Sequence, residues 1–177
     1  MRKARAALGS ALFLAVAPGV VAGLVPWWLT GWQVGASPYP IWLRIVGVIL
    51  LAAGIPVLVS AFIRFVVEGF GTPAPLAPPQ RLVVGGLYRY VRNPMYLAVV
   101  AVIAGQALML SRPILLAYAA VVAVTMVAFV YGYEQPTLAR RFGAEYEAYR
   151  KAVPGWWPRL RPWHPDRNGA RDRVDRP

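Results

Sequence analysis

Gly85-Gly86-Leu87-Tyr88-Arg89-Tyr90-Val91-Arg92-Asn93-Pro94-Met95-Tyr96 is the stretch on which the fold turns. It brings two arginines, three tyrosines, two glycines and a proline together between long apolar runs. Asn93 is a residue type that caps helices, and Pro94 suits the first helical position, where no backbone N–H is needed. The stretch is therefore a polar loop that becomes a helix at Asn93–Pro94. The free N–H groups at that helix start, with Arg89 and Arg92 beside them, offer a place for an anionic group. A basic membrane-surface loop with ordinary capping would carry the same residues. What else comes close to the loop decides between the two readings.

Outward from this loop, the chain divides into charge-free intervals. No charged residue lies between Arg5 and Arg44, between Arg44 and Arg64, between Arg92 and Arg112, or between Arg112 and Glu134. A bilayer crossing takes about 20 apolar residues, so the intervals predict four spans: Ala6 to about Leu29, Ile45 to Ile63, Asn93 to Ser111, and Pro113 to Tyr133. The first is too long for a signal-peptide core and reads as an uncleaved span. Only Arg44 and Arg112 of the 19 Lys and Arg residues fall outside what would be the cytoplasmic face, which puts both termini inside. Trp27, Trp28, Trp32, Tyr39 and Trp42 then form an interfacial aromatic belt on the other side. Ser111-Arg112-Pro113 alone separates spans three and four, which makes them a tight hairpin. Pro18-Gly19 and Gly54 with Pro56 are kinks or packing irregularities that membrane helices tolerate.

Composition agrees. The 177-residue chain is 58% hydrophobic and 15% charged, with a mean hydropathy of +0.49, too apolar for an ordinary soluble domain. Its net charge of +12 is gathered between apolar runs rather than spread over a polar surface, which argues against a nucleic-acid partner. The absence of cysteine removes disulfides, thiolate metal sites and a cysteine nucleophile. The single histidine, His164, sits in a polar tail, so neither a metal site nor a histidine-based triad is expected. Gly71 to Pro79 holds four prolines and reads as a stiff extended spacer.

After the fourth interval, Pro136 opens a helix in which Leu138, Phe142, Tyr146, Tyr149 and Val153 share one stripe. Arg140, Arg141, Glu147, Arg150 and Lys151 face the other way, with Glu147 and Lys151 spaced to pair. Pro154 ends this amphipathic helix, which lies at the membrane surface or over the central loop. Trp156 and Trp157 extend its apolar edge. From about Trp163 the tail is expected to be disordered. Glu134, the only acid between Glu68 and Glu145, is carried by the hairpin to the Arg92–Tyr96 turn. A carboxylate and tyrosine rings attract a cation, and a helix start binds a carboxylate. Together they suit a zwitterionic ligand: S-adenosylmethionine, an amino acid or a lipid head group.

Gly86 to Tyr96 resembles the Arg-His-Pro-x-Tyr region of the isoprenylcysteine carboxyl methyltransferase family. Tyr133-Glu134-Gln135-Pro136-Thr137-Leu138, followed by Phe142 to Arg150 and Val153-Pro154, resembles that family's C-terminal signature. The phospholipid methyltransferases are similar in the same places, and the likeness covers about residues 71–158. It implies a single all-α, polytopic transmembrane methyltransferase domain over residues 1–162, with a C-terminal amphipathic helix covering a cytoplasmic-side site for S-adenosylmethionine. The implied cofactor contacts are Gln80, Arg81, Leu82, Val83, Tyr88, Asn93, Pro94, Met95, Tyr96 and Glu134. Arg92 and Glu134 are the implied catalytic pair, and no metal is involved. Asn93 stands where the family usually has histidine, Gln135 where it has a second glutamate, and Val130 where eukaryotic prenylcysteine enzymes place a substrate-binding arginine.

The expected activity is methyl transfer to a lipid or prenylated small molecule entering from the bilayer, with S-adenosylhomocysteine as product. Carboxyl O-methylation comes first, because a carboxylate needs no base. Phospholipid amine methylation is the alternative. A scaffold binding anionic membrane lipids and a nicotinamide-dependent membrane reductase are the remaining readings. The expected location is a bacterial inner membrane.

Overall fold

The computed structural model describes residues 17–36, 38–69 and 81–164. The N-terminal part of the first expected span, the proline-rich spacer, Gln80 and residues 165–177 lie outside them. Among the described residues the chain is all-helical, with no strand. The helices are α1 (Ala17–Thr30), α2 (Ile41–Gly69), α3 (Pro94–Met109), α4 (Pro113–Phe129) and α5 (Gln135–Ala152). Among the described residues two helices are long and apolar enough to cross a membrane: Ile41–Arg64 within α2, and Pro113–Ala152, which joins α4 to α5. The third expected span is a shorter apolar helix, α3, of 16 residues. At 1.5 Å per residue this is about 24 Å, less than a hydrocarbon core.

Position explains the short helix. α3 is the core of the bundle, with Ala98, Val99, Val102, Ile103 and Ala107 all buried. α2 and α4 pack on either side of it. Its outer neighbours carry the exposed apolar surface: Ile45, Ile49, Ile55 and Ile63 on α2, and Val121, Val124 and Val127 on α4. Such broad exposed apolar faces suit lipid rather than water.

α2 and α3 touch through glycine. A Cβ on Gly47 would lie 2.5 Å from the Met109 nitrogen, and one on Gly105 would lie 2.9 Å from the Gly47 carbonyl oxygen. The helices therefore approach backbone to backbone, as small residues permit. At the far end of the hairpin Ser111 takes a positive φ of 55°, and its hydroxyl accepts from the Tyr39 N–H at 2.8 Å.

Prolines shape both irregular turns. In α1 a π turn spans Val20–Leu24, with the Val25 N–H bonded to the Val20 carbonyl, and Pro26 follows without an N–H. The register shift and the missing donor free the carbonyls of Val21 and Ala22. Tyr118 of α4 donates to the first at 2.9 Å, and the Gln106 amide of α3 donates to the second at 2.7 Å. The buried Gln106 also accepts from the Trp32 indole at 3.1 Å. Gln106→Leu should therefore lower the melting temperature by the cost of unpaired groups in an apolar interior, about 1–3 kcal/mol. A thermal melt in detergent measures this. The same arrangement recurs at Val130–Glu134, where the Gln135 N–H reaches back to Val130 and Pro136 follows.

Thus Pro136 does not open a separate helix. The helix runs from α4 through the second π turn into α5, with one kink at Gly143 (φ 50°, ψ −124°). The expected stripe holds: Tyr146, Tyr149 and Val153 are buried together, with Leu138 and Phe142 packed on them. Glu147 pairs with Arg150 at 3.0 Å, not with Lys151, because the arginine fork reaches the carboxylate from one turn away.

Candidate active site

The loop before α3 is held on two sides. Leu82 and Val84 pack on the Tyr146–Tyr149–Val153 cluster of α5. Val83 points the other way, into a cluster with Ala61, Phe62, Tyr88 and Met95. This alternation is that of an extended segment. A 3-10 turn, Gly86–Arg89, follows, and Gly86 has φ +55°, which only glycine adopts at little cost.

The segment after α5 straps this loop down. The Arg92 N–H donates to the Pro154 carbonyl at 2.9 Å, and the Asn93 N–H to that of Gly155 at 3.3 Å. The Arg159 N–H donates to Tyr90 at 2.9 Å, and the Trp163 N–H to Arg89 at 3.0 Å. Arg89 answers with its Nε on the Trp163 carbonyl at 3.0 Å, so paired structure continues to Trp163. The Tyr149 hydroxyl donates to the Tyr88 carbonyl at 2.6 Å, and its burial pushes its pKa up, against the pull of Arg92. Tyr149→Phe should loosen loop and strap together. The expected loss is about 1–2 kcal/mol, read as a lower melting temperature.

Arg92 is the clamp between loop and strap. Its Nε donates to the Val153 carbonyl at 2.9 Å, and its Nη1 to the Tyr146 hydroxyl at 3.3 Å. Two donors of the guanidinium are thus used on the chain itself.

Across the cleft, the Tyr96 hydroxyl donates to Glu134 Oε2 at 2.9 Å. Tyr96 lies in the first turn of α3, and Glu134 ends the second π turn, beyond the apolar part of α4. The hairpin therefore brings the acid to the loop. Burial drives the Glu134 carboxyl above its ordinary range, while the Tyr96 hydrogen bond and the Arg92 charge oppose that shift.

Asn93 occupies the N-cap position with Pro94 after it, yet its side chain makes no capping bond. Its backbone is held by Gly155 instead, and the buried Asn93 Nδ2 has no partner. Gln135 Nε2 and Trp156 Nε1 are likewise buried N–H donors without an acceptor. Buried donors are rarely left unmade. A Cβ on Gly155 would stand 3.2 Å from Arg92 Nη2 and 3.6 Å from Asn93 Nδ2, so glycine lets the strap approach the loop closely.

The sequence-predicted residues therefore separate. Arg92, Asn93, Tyr96 and Glu134 come together around the cleft. Val83, Tyr88 and Met95 are buried in the cluster against α2, Pro94 is buried at the helix start, Leu82 faces α5, and Arg81 is exposed. Tyr146 and Gly155 meet Arg92 there without having been singled out as ligand contacts. For Tyr146 the helical stripe was the available signal. The Gly155-Trp156 strap has no periodicity to reveal it. The cleft offers a carboxylate for a cation and, at Asn93, a neutral donor for an acceptor atom. Among the described residues no cluster of metal-ligating side chains occurs.

The family model described as phospholipid methyltransferase matches residues 42–145. No curated protein and no solved structure matches the chain.

Proposed function

The chain belongs to the phospholipid methyltransferase family, and on that premise we propose that it transfers a methyl group from S-adenosylmethionine to a lipid-like acceptor at the Tyr96–Glu134 cleft. The observation that carries this reading is the Glu134 carboxylate held at the start of α3, 2.9 Å from Tyr96, where the Arg92 charge also reaches it. S-adenosylmethionine supplies an electrophilic methyl on a sulfonium cation together with a carboxylate, an amine and an adenosine. The residues present fit that group. Glu134 offsets its positive charge, and the unpartnered Asn93 amide beside Arg92 can donate to an acceptor atom.

The chain's own part in transfer is positioning and exclusion of water. Arg92 fixes the strap over the loop. Tyr96 orients the Glu134 carboxylate. The apolar faces of α2 and α4 lead an acceptor's tail sideways from the bilayer. The arrangement we propose has four spans, both termini on the cytoplasmic side of a bacterial inner membrane, and the cleft on that side.

A carboxylate acceptor is the first choice, because it needs no base and Glu134 already accepts from Tyr96. An amine head group is the second reading. The family's description favours it, and the raised proton affinity of Glu134 would let that carboxyl take the amine's proton. Incubating the purified protein with methyl-labelled cofactor and total lipid extract tests both. A labelled lipid that loses its label in base is an ester, and one that keeps it is an amine. No labelled lipid from an active, folded preparation would count against the proposal.

A further inference from the structure

The strap carries two apolar side chains that its own contacts leave uncovered. Its backbone is tied to the loop at Pro154 and Gly155, again at Arg159, and again at Trp163. Between these ties the chain turns outward twice: Trp157 is 79% exposed and Leu160 is 99% exposed. Their neighbours turn inward. The indole nitrogen of Trp156 is buried, and the Trp163 ring packs on Tyr149 with centroids 5.4 Å apart. A strap tied at three places keeps inner and outer residues sorted.

Single exposed apolar residues are ordinary on a protein surface. Place and company set this pair apart. Pro162 shares the wall of one cavity with Ser60 and Ile63, which belong to the last turns of the Ile41–Arg64 span. The far end of the strap therefore reaches back to the depth of a membrane helix instead of standing clear of it. Ile63 is itself 54% exposed, and Val59 and Ile55 continue that exposed apolar face at steps of four. Leu160, two residues before Pro162, carries the face onto the strap. Arg159 and Arg161 flank Leu160, and no acid occurs between Glu147 and Asp166. Apolar and aromatic side chains interleaved with arginine suit the membrane–water boundary, where rings and methyl groups enter the acyl region and guanidinium groups stay at the polar surface. Two side chains on a narrow strap supply only a fraction of the about 800 Å² that a standard protein interface takes from each partner.

We infer that the strap is a membrane-surface anchor, with Trp157 and Leu160 inserted into the bilayer boundary beside the end of α2. Its partner is the apolar edge of the bilayer as a whole, not an individual lipid. The inference rests on the reading of Ile41–Arg64 as a membrane span and not on methyl transfer. A strap so anchored is held over the loop from two sides, by its hydrogen bonds and by the membrane.

The chain has no cysteine, so a nitroxide label can be placed at one position at a time. Leu160→Cys, Lys151→Cys and Ile55→Cys each replace an exposed residue. The labelled full-length proteins are placed in lipid nanodiscs, and collisions with oxygen and with a water-soluble nickel chelate are read by power-saturation EPR. The label at 160 should collide with the chelate severalfold less than the label at 151, and more with oxygen. Its depth should be about 5–10 Å into the head-group and acyl boundary, with the label at 55 deeper still. Trp157→Ser should raise chelate access at 160, because one of the two inserted side chains is gone. Chelate access at 160 equal to that at 151, with 55 shielded, would overturn the anchor and leave the span intact. Chelate access at 55 would overturn the span and the anchor with it. Shielding of 160 in native membranes but not in nanodiscs would assign the pair to a protein partner and overturn the inference.

Discussion

Glu134→Gln should abolish S-adenosylmethionine binding while making the ligand-free protein more stable. The two effects have one origin. In the free protein the Glu134 carboxyl sits where burial disfavours its charge, so its pKa is raised in the folded state. A raised carboxyl pKa contributes stability that is fully present below the unfolded value and is lost as pH rises through the folded one. At alkaline pH the ionised carboxylate therefore weighs against folding. Glutamine keeps an oxygen for the Tyr96 hydroxyl and removes the charge. Its melting temperature should exceed that of wild type at high pH, and the gap should close as pH falls through the raised carboxyl range. A bound sulfonium is what that charge is positioned for. Removing one member of a buried charge pair costs about 2–5 kcal/mol, or at least about thirtyfold in affinity. Melts of both proteins across pH, with and without S-adenosylmethionine, measure both effects. A variant that binds as tightly as wild type would take Glu134 out of the site.

The second large effect concerns folding. Gly47→Leu and Gly105→Leu should each prevent accumulation of the folded monomer. Added side-chain atoms in a packed core usually cost about 1–3 kcal/mol, because neighbouring side chains can move aside. Here the obstructing atoms are backbone. A Cβ on Gly47 would meet the Met109 nitrogen at 2.5 Å and the Gly105 carbonyl oxygen at 2.7 Å, and one on Gly105 would meet the Leu51 nitrogen at 3.1 Å. Only separation of α2 from α3 relieves this, and that separation opens the core of the bundle. Gly23→Ala is the control, since nothing lies within 4 Å of its added carbon. Size-exclusion profiles of the three variants in detergent should show a wild-type peak for Gly23→Ala alone.

The sequence revealed most about this molecule where charge interrupts apolar runs. The three-residue turn at Ser111–Pro113 set α3 against α4, and this was enough to bring Glu134 to Tyr96, 38 residues away. The α5 stripe was legible because burial repeats with the helical period. Three things were not legible, each for a physical reason. Asn93 has the composition of a cap, but its N–H answers to a strap that lies beyond Pro154, where no periodic signal exists, and its side chain caps nothing. Gln106 reads as one polar residue in an apolar run. Its role depends on carbonyls freed in α1 by a π turn and by Pro26. The approach at Gly47 and Gly105 needs two helices in register, which neither interval specifies alone. The length of α3 belongs with these. A charge-free interval marks an apolar segment, whether lipid or protein surrounds it.

Equilibrium titration of the purified chain with S-adenosylmethionine tests the central claim most directly. A single saturable site in wild type, lost in Glu134→Gln and retained in Gly23→Ala, is the predicted result. No saturable binding to folded wild-type protein would contradict it.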